Sequence, residues 1–167
     1  MKTPFIELPA ATAEGKFTAR YSDKGLASLD FPNVRRAALQ AGKKQMIAPK
    51  IRAWHRTTAA ALKAVLAGRK PKALPPLDMM GTEFQKSVWR EMRKISPGKT
   101  KSYGEIASAI GKPSAVRAVG GACGANPVPV LVPCHRVLAA NKKLGGFSSG
   151  LDWKRSLLKR EGVQCAK

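Results

Sequence analysis

Apolar and polar positions follow different rhythms on the two sides of a proline-rich segment. Over residues 16–21 and 26–31 they alternate around Ser22-Asp23-Lys24-Gly25, the pattern of two half-buried strands joined by a turn. Over residues 51–66 the spacing changes: Trp54, Ala61, Val65 and Leu66 stand in Ala-rich sequence without internal Gly or Pro, which predicts a helix. Residues 69–77 (Arg-Lys-Pro-Lys-Ala-Leu-Pro-Pro-Leu) disfavour helix and strand alike and read as a linker, dividing the chain into 1–77 and 78–167. Beyond it, Thr82 is an N-cap candidate for a helix carrying Phe84, Val88, Trp89 and Met92, stopped by Pro97-Gly98. Two short helical segments follow, 103–110 ending at Gly111 and 114–122 opening after Pro113, a proline suited to a first helical turn. The pair reads as helix-turn-helix, although any packed helical hairpin fits the same spacing. Leu151, Trp153, Leu157 and Leu158 mark a closing amphipathic helix rich in Lys and Arg. The fold class expected is α+β: a small sheet with one helix, then a helical half.

Composition adds a partner to this outline. The 167 residues, 44% of them apolar, suffice for one ordinary domain or two small ones, which argues against a disordered tail or a disulfide-stapled miniprotein. There are 31 Lys and Arg against 10 Asp and Glu, a net charge of +21, with 15 basic and 4 acidic residues in 1–77 and 16 and 6 thereafter. Both halves are basic, so the charge is no discrete tail. It predicts attraction to a polyanion: nucleic acid, an anionic membrane or an RNA-rich assembly. Three cysteines, Cys123, Cys134 and Cys165, cannot all pair and form no Cys-x-x-Cys, which points to a reduced compartment. No stretch reaches the roughly 18 apolar residues needed to cross a bilayer. A soluble, cytoplasmic protein is expected.

The chemistry concentrates in one segment. Asn126-Pro-Val-Pro-Val-Leu-Val-Pro-Cys134-His135-Arg136-Val137 is apolar and proline-rich, unsuited to a central strand, and reads as a buried extended segment delivering Cys134 to a turn. A buried structural cysteine is one reading. The other is a nucleophile, because a thiol attacks as thiolate and His135 and Arg136 stand beside it; at a turn, a water could link thiol and imidazole while a carboxylate fixes the imidazole tautomer. With scattered cysteines and only His55 and His135 to help, no zinc site is expected, and the absence of GxxxxGK[ST] removes a phosphate-cradling loop. No metal or cofactor is therefore called for. Gly120-Gly121 inside the second helix is read as permitting close backbone approach. A cysteine protease competes on the Cys/His pair, but the charge, the preceding helix-turn-helix and the lack of protease cysteine signatures count against it.

Taken in order, Ser102-Tyr103, Ala118-Val119-Gly120-Gly121-Ala122, Asn126-Pro127-Val128-Pro129, Pro133-Cys134-His135-Arg136-Val137 and Gly145-Gly146-Phe147-Ser148-Ser149-Gly150-Leu151 resemble the O6-alkylguanine-DNA alkyltransferases, or methylated-DNA-protein-cysteine methyltransferases. The resemblance runs from about Gly81 to Gly162; the N-terminal half is similar only in general character. It implies a small RNase H-like α/β domain followed by a helical, winged-helix-like DNA-binding domain carrying the reactive cysteine. It further implies minor-groove binding, flipping of the damaged guanine, and a single irreversible transfer of a methyl or other alkyl group to Cys134, with O4-alkylthymine a second candidate lesion.

Carried over by residue, the resemblance makes His135 the base acting through water, Glu161 its orienting carboxylate and Asn126 the residue fixing the tight turn before the cysteine. Tyr103 would donate a hydrogen bond to the flipped guanine, Arg117 would fill the gap in the base stack, Gly104 and Lys112 would contact phosphate, and Ser148 would wall the pocket. Two positions depart: Phe147 stands where many members have Tyr, and Gly124 replaces a second basic residue of some recognition helices. The zinc ligands and the additional methyl-acceptor domain of some relatives have no counterpart in the sequence. The partner implied is double-stranded DNA containing O6-alkylguanine, with no membrane, met by a monomer in the cytoplasm, at the nucleoid, or in the nucleus of a eukaryote. A lesion-binding alkyltransferase-like protein without transfer activity is the alternative, although such relatives replace the acceptor cysteine. A plain helix-turn-helix regulator is the third reading.

Overall fold

A computed structural model of the chain describes residues 5–32, 34 and 46–166. Its first layer is an antiparallel sheet in the order β1 (Ile6–Thr12), β2 (Gly15–Tyr21), β3 (Leu26–Asp30). The expected hairpin is β2–β3, and its alternation holds: Phe17, Ala19 and Tyr21 point inward and are fully buried. β1 lies outside the sequence expectation because it contains Pro9. A proline cannot donate to a ladder, yet an edge strand needs only one paired side, and β1 pairs with β2 alone among the described residues. Helix α1 (Pro49–Leu66) opens on its proline and covers the sheet with Ile51, Ala61, Leu62 and Val65.

The segment expected to be a linker is stitched to the sheet instead. Leu26 N–H donates to Pro76 O at 2.7 Å, Asp78 N–H donates to Leu26 O at 2.9 Å, and the Ser22 hydroxyl reaches the Asp78 carboxylate at 2.5 Å. Proline leaves a carbonyl free to accept even where it cannot donate, so a Pro-rich strip can still edge a strand. Gly25 permits the approach, since a Cβ there would stand 2.4 Å from Pro76 O. One apolar core then runs through both halves, and an aromatic cluster joins them: Phe31 lies 5.3 Å from Phe17, 4.8 Å from Trp153 and 5.9 Å from Phe147 between ring centres.

The second half begins with α2 (Glu83–Arg93), capped reciprocally by Thr82 and Gln85. α3 (Tyr103–Ala109) carries the same device in Ser102 and Glu105, and α4 (Val116–Gly124) packs against both. Gly111, at φ 72°, closes α3: its N–H donates to Ser108 O and that of Lys112 to Ala107 O, the paired bonds of a Schellman motif. This closure occupies the turn, so α4 starts at Val116, and Pro113 stands in the turn rather than in the helix's first turn as expected. Short strands β4 (Lys101–Ser102) and β5 (Val137–Leu138) pair in parallel, and α5 (Leu151–Arg160) closes the chain's fold. The architecture is thus mixed α/β, an N-terminal sheet and helix followed by a helical domain. No helix among the described residues is long and apolar enough to cross a membrane.

Candidate active site

The segment leading to Cys134 is buried but not extended. Pro127, Pro129 and Pro133 remove donors, and those that remain close turns: Val132 N–H reaches Val128 O at 2.9 Å, with Val130 at φ 72° between them. Asn126 braces this coil with both ends of its amide, Nδ2 donating to Val132 O at 2.8 Å and Oδ1 accepting from Val128 N–H at 3.0 Å. Cys134 then opens a single 3-10 turn, Cys134–Arg136, whose three residues are all buried.

Behind the thiol, Glu161 at the end of α5 gathers the other two. Its carboxylate lies 3.0 Å from His135 Nε2 and accepts from Arg136 Nε at 3.0 Å and Nη2 at 2.8 Å, while Arg136 Nη1 donates to Ile95 O. Burial alone would raise the Glu161 carboxyl; the bonds from His135 and Arg136 outweigh it and hold the group at about 2. An ionised carboxylate can only accept, so His135 presents Nε2–H to it and leaves Nδ1 as the bare lone pair. Nδ1 is buried and has no hydrogen-bond partner among the described residues. Burial pushes the imidazole's pKa down against the pull of Glu161, and burial pushes the Cys134 thiol up against Asn126 and Lys154. The resting site is a neutral thiol beside a neutral, basic imidazole nitrogen.

Lys154 is the residue that sequence reasoning missed. It is fully buried in α5, and its ammonium donates to Val137 O at 2.7 Å, Leu144 O at 2.5 Å and Gly146 O at 3.1 Å. Burial lowers its pKa, opposed by the nearby cysteines. It ties the loop before Phe147 and Ser148 to β5 and places positive potential near the thiol. One signal was available: Lys154 falls three and four residues before Leu157 and Leu158, within the apolar stripe of its helix.

A cavity of about 590 Å³ opens in front of Cys134, lined by Tyr103, Arg117, Gly120, Cys123, Phe147 and Ser148 among others. Tyr103 is half-buried at the start of α3, and burial raises its pKa, so it stays a donor. Arg117 is exposed on α4 and Ser148 on the facing loop. Gly104 and Lys112 lie in the first turn of α3 and in the turn after it, off the cavity wall. A Cβ on Gly120 or Gly121 would meet no atom within 4 Å, so the expected close backbone packing is absent among the described residues; Gly120 and Gly124 instead keep the cavity side of α4 open. Phe147 sets its ring edge-on to Phe31.

The model of the 6-O-methylguanine DNA methyltransferase DNA-binding domain matches residues 83–163. The methylated-DNA--protein-cysteine methyltransferase of Methanosarcina barkeri is 42% identical over 144 residues, covering 84% of this chain and 86% of the relative. The chain belongs to this family. The family's member from Methanosarcina acetivorans is 54% identical over 101 residues, 60% of this chain, and the match spans 65% of that relative's length. The crystal structure of Mycobacterium tuberculosis OGT in complex with DNA superposes with a TM-score of 0.73 at 36% identity, covering 92% of this chain and 90% of that one.

Proposed function

We propose that the protein repairs DNA directly, moving a methyl or other alkyl group from O6 of guanine to Cys134 in a single irreversible turnover. The observation that carries this reading is the pair Glu161···His135, which leaves Nδ1 buried and unpartnered among the described residues, next in the chain to a buried cysteine on the wall of an open cavity. In the reaction the Cys134 proton passes to His135 Nδ1 through a water, and Glu161 stabilises the imidazolium that forms. The sulfur lone pair bonds the alkyl carbon as the carbon–O6 bond breaks, its electrons entering the guanine ring. Tyr103 donates a hydrogen bond to that leaving base, and Lys154 favours the thiolate that precedes it. The thioether product has no base-labile bond, so the protein acts once.

The target base must leave the stack to reach a buried thiol. Arg117, exposed at the cavity mouth, suits the space it vacates, while Gly104 and Lys112 suit flanking phosphates. Asn126 acts by bracing the turn, and Ser148 by walling the pocket. The acceptor machinery lies within residues 78–167, and residues 1–77 support it at Phe31, at Leu29, whose N–H donates to Pro127 O at 2.9 Å, and at Leu66, whose carbonyl accepts from Arg160 on the helix that ends at Glu161. We place the protein as a monomer in the cytoplasm, on DNA. Cysteine at 134 argues against the lesion-binding alternative. Duplex DNA with a radiolabelled O6-methyl group should label one cysteine per molecule, and equal labelling of Cys134→Ser would overturn the assignment.

A further inference from the structure

The site just described uses few of the chain's cations. Among the described residues, Arg117 is the one charged residue on the wall of the Cys134 cavity. Part of the surplus stands elsewhere, along two adjoining grooves of about 510 and 580 Å³ that share Lys70, Lys72 and Ala73 and are taken together as one trough. It follows α1, residues 69–74 and the end of α2, and shares no lining residue with the cavity. Arg56, Lys63, Arg69, Lys70, Lys72 and Arg93 line it, all exposed, and no carboxylate among the described residues does. None of the six has an ion-pair partner among the described residues, whereas Lys94 at the rim pairs with Glu91 and the buried Arg136 at one end pairs with Glu161.

Helix C-terminal carbonyls account for Lys63 in the last turn of α1 and Arg93 in that of α2. They do not account for Arg69, Lys70 and Lys72, which continue past the helix, or for Arg56, nearly three turns before its end. Cations within a Debye length of about 8–10 Å repel one another, and an unneutralised row of them works against the compact state. The charge complement of such a row is a regularly spaced polyanion.

We propose that this trough holds the phosphate backbone of a second DNA duplex, separate from the one presented to Cys134. The protein then carries two DNA-binding surfaces that share no lining residue and can bridge two segments of the same genome. Binding here is to phosphate and carries no sequence information, so the trough serves transfer between strands during a search rather than lesion recognition. The inference rests on duplex DNA being the partner, as proposed above.

The test is capture of a second duplex. Protein bound to an immobilised duplex is challenged with a labelled duplex, for wild type and for the triple variant Arg69→Gln, Lys70→Gln, Lys72→Gln. Wild type should retain the labelled duplex and the variant should retain at least about tenfold less. The slope of log affinity against log salt for this step should be smaller in magnitude by about 2–3 in the variant, since each phosphate left unneutralised removes about 0.9. Reaction of both proteins with free O6-benzylguanine should be equal, which also reports that the variant is folded. Equal capture by the variant overturns the trough. So does a wild type that binds one duplex but captures no other, or a trough that binds polyglutamate and no second duplex, which would reassign it to an acidic protein. A wild type that binds no duplex at all overturns the proposed function as well.

Discussion

Two charged regions of this molecule follow opposite rules. Around Cys134, the charges are buried and matched: Glu161 to His135 and Arg136, Lys154 to three carbonyls. Along α1 and residues 69–74, the cations are exposed and lack carboxylate partners among the described residues. The difference shows what burial does to charge. In the interior, a charge without its partners costs several kcal/mol, so its position is dictated and can be used to set a tautomer or favour a thiolate. At the surface water solvates each cation, position matters little, and the group contributes long-range, salt-sensitive attraction.

The largest effect is expected at the most buried carboxylate of the site. Glu161→Ala leaves Arg136 and His135 without their acceptor and should cost about 3–5 kcal/mol in chemical denaturation. A loss below about 1 kcal/mol would mean that the network is solvated like a surface pair. The same group predicts the pH profile. Its folded pKa, about 2, lies below the ordinary carboxylate value, so its stabilisation is present above that ordinary value and is lost as pH falls toward 2. His135, also depressed in the folded state, adds loss as pH falls below the ordinary histidine range. Thermal melts should fall in two stages on acidification, and in Glu161→Gln the lower stage should disappear.

Lys154→Met comes next, leaving three buried or partly buried carbonyls without their donor at a cost of about 2–4 kcal/mol. It should also slow alkyl transfer to free O6-benzylguanine, and the rate should need a higher pH to recover because less positive potential favours the thiolate. An unchanged rate would confine Lys154 to holding the loop. The smallest effect belongs to the surface: Lys86→Ala removes an exposed partner of Glu83 on α2 and should shift stability by less than about 0.5 kcal/mol.

Local signals were legible where local forces decide. The hairpin around Ser22-Asp23-Lys24-Gly25 was readable because alternation and turn chemistry act within a few residues, and the same holds for the Thr82 cap of α2. Pro9 hid β1, since edge position is a property of the sheet and not of the strand. The prolines before Cys134 suggested extension, but closure of their remaining donors into turns depends on Asn126 reaching Val132. Cys134 and His135 stood out as neighbours. Glu161 took its place beside them only through resemblance, because 26 residues separate it from the histidine it meets. Lys154 was not singled out among the Lys and Arg of the closing helix, and it lies inside.

What the amino-acid order alone determined is the β2–β3 hairpin and the main helices, the mixed α/β class, the excess of positive charge and the adjacency of a thiol and a base. These follow from periodicity, composition and adjacency, which need no third dimension. The tertiary structure decided which charges are buried and which are not. Desolvation depends on what packs above a residue: it turns Glu161 and Lys154 into fixed parts of one site, while lysines of the same chemistry on α1 and residues 69–74 remain in water.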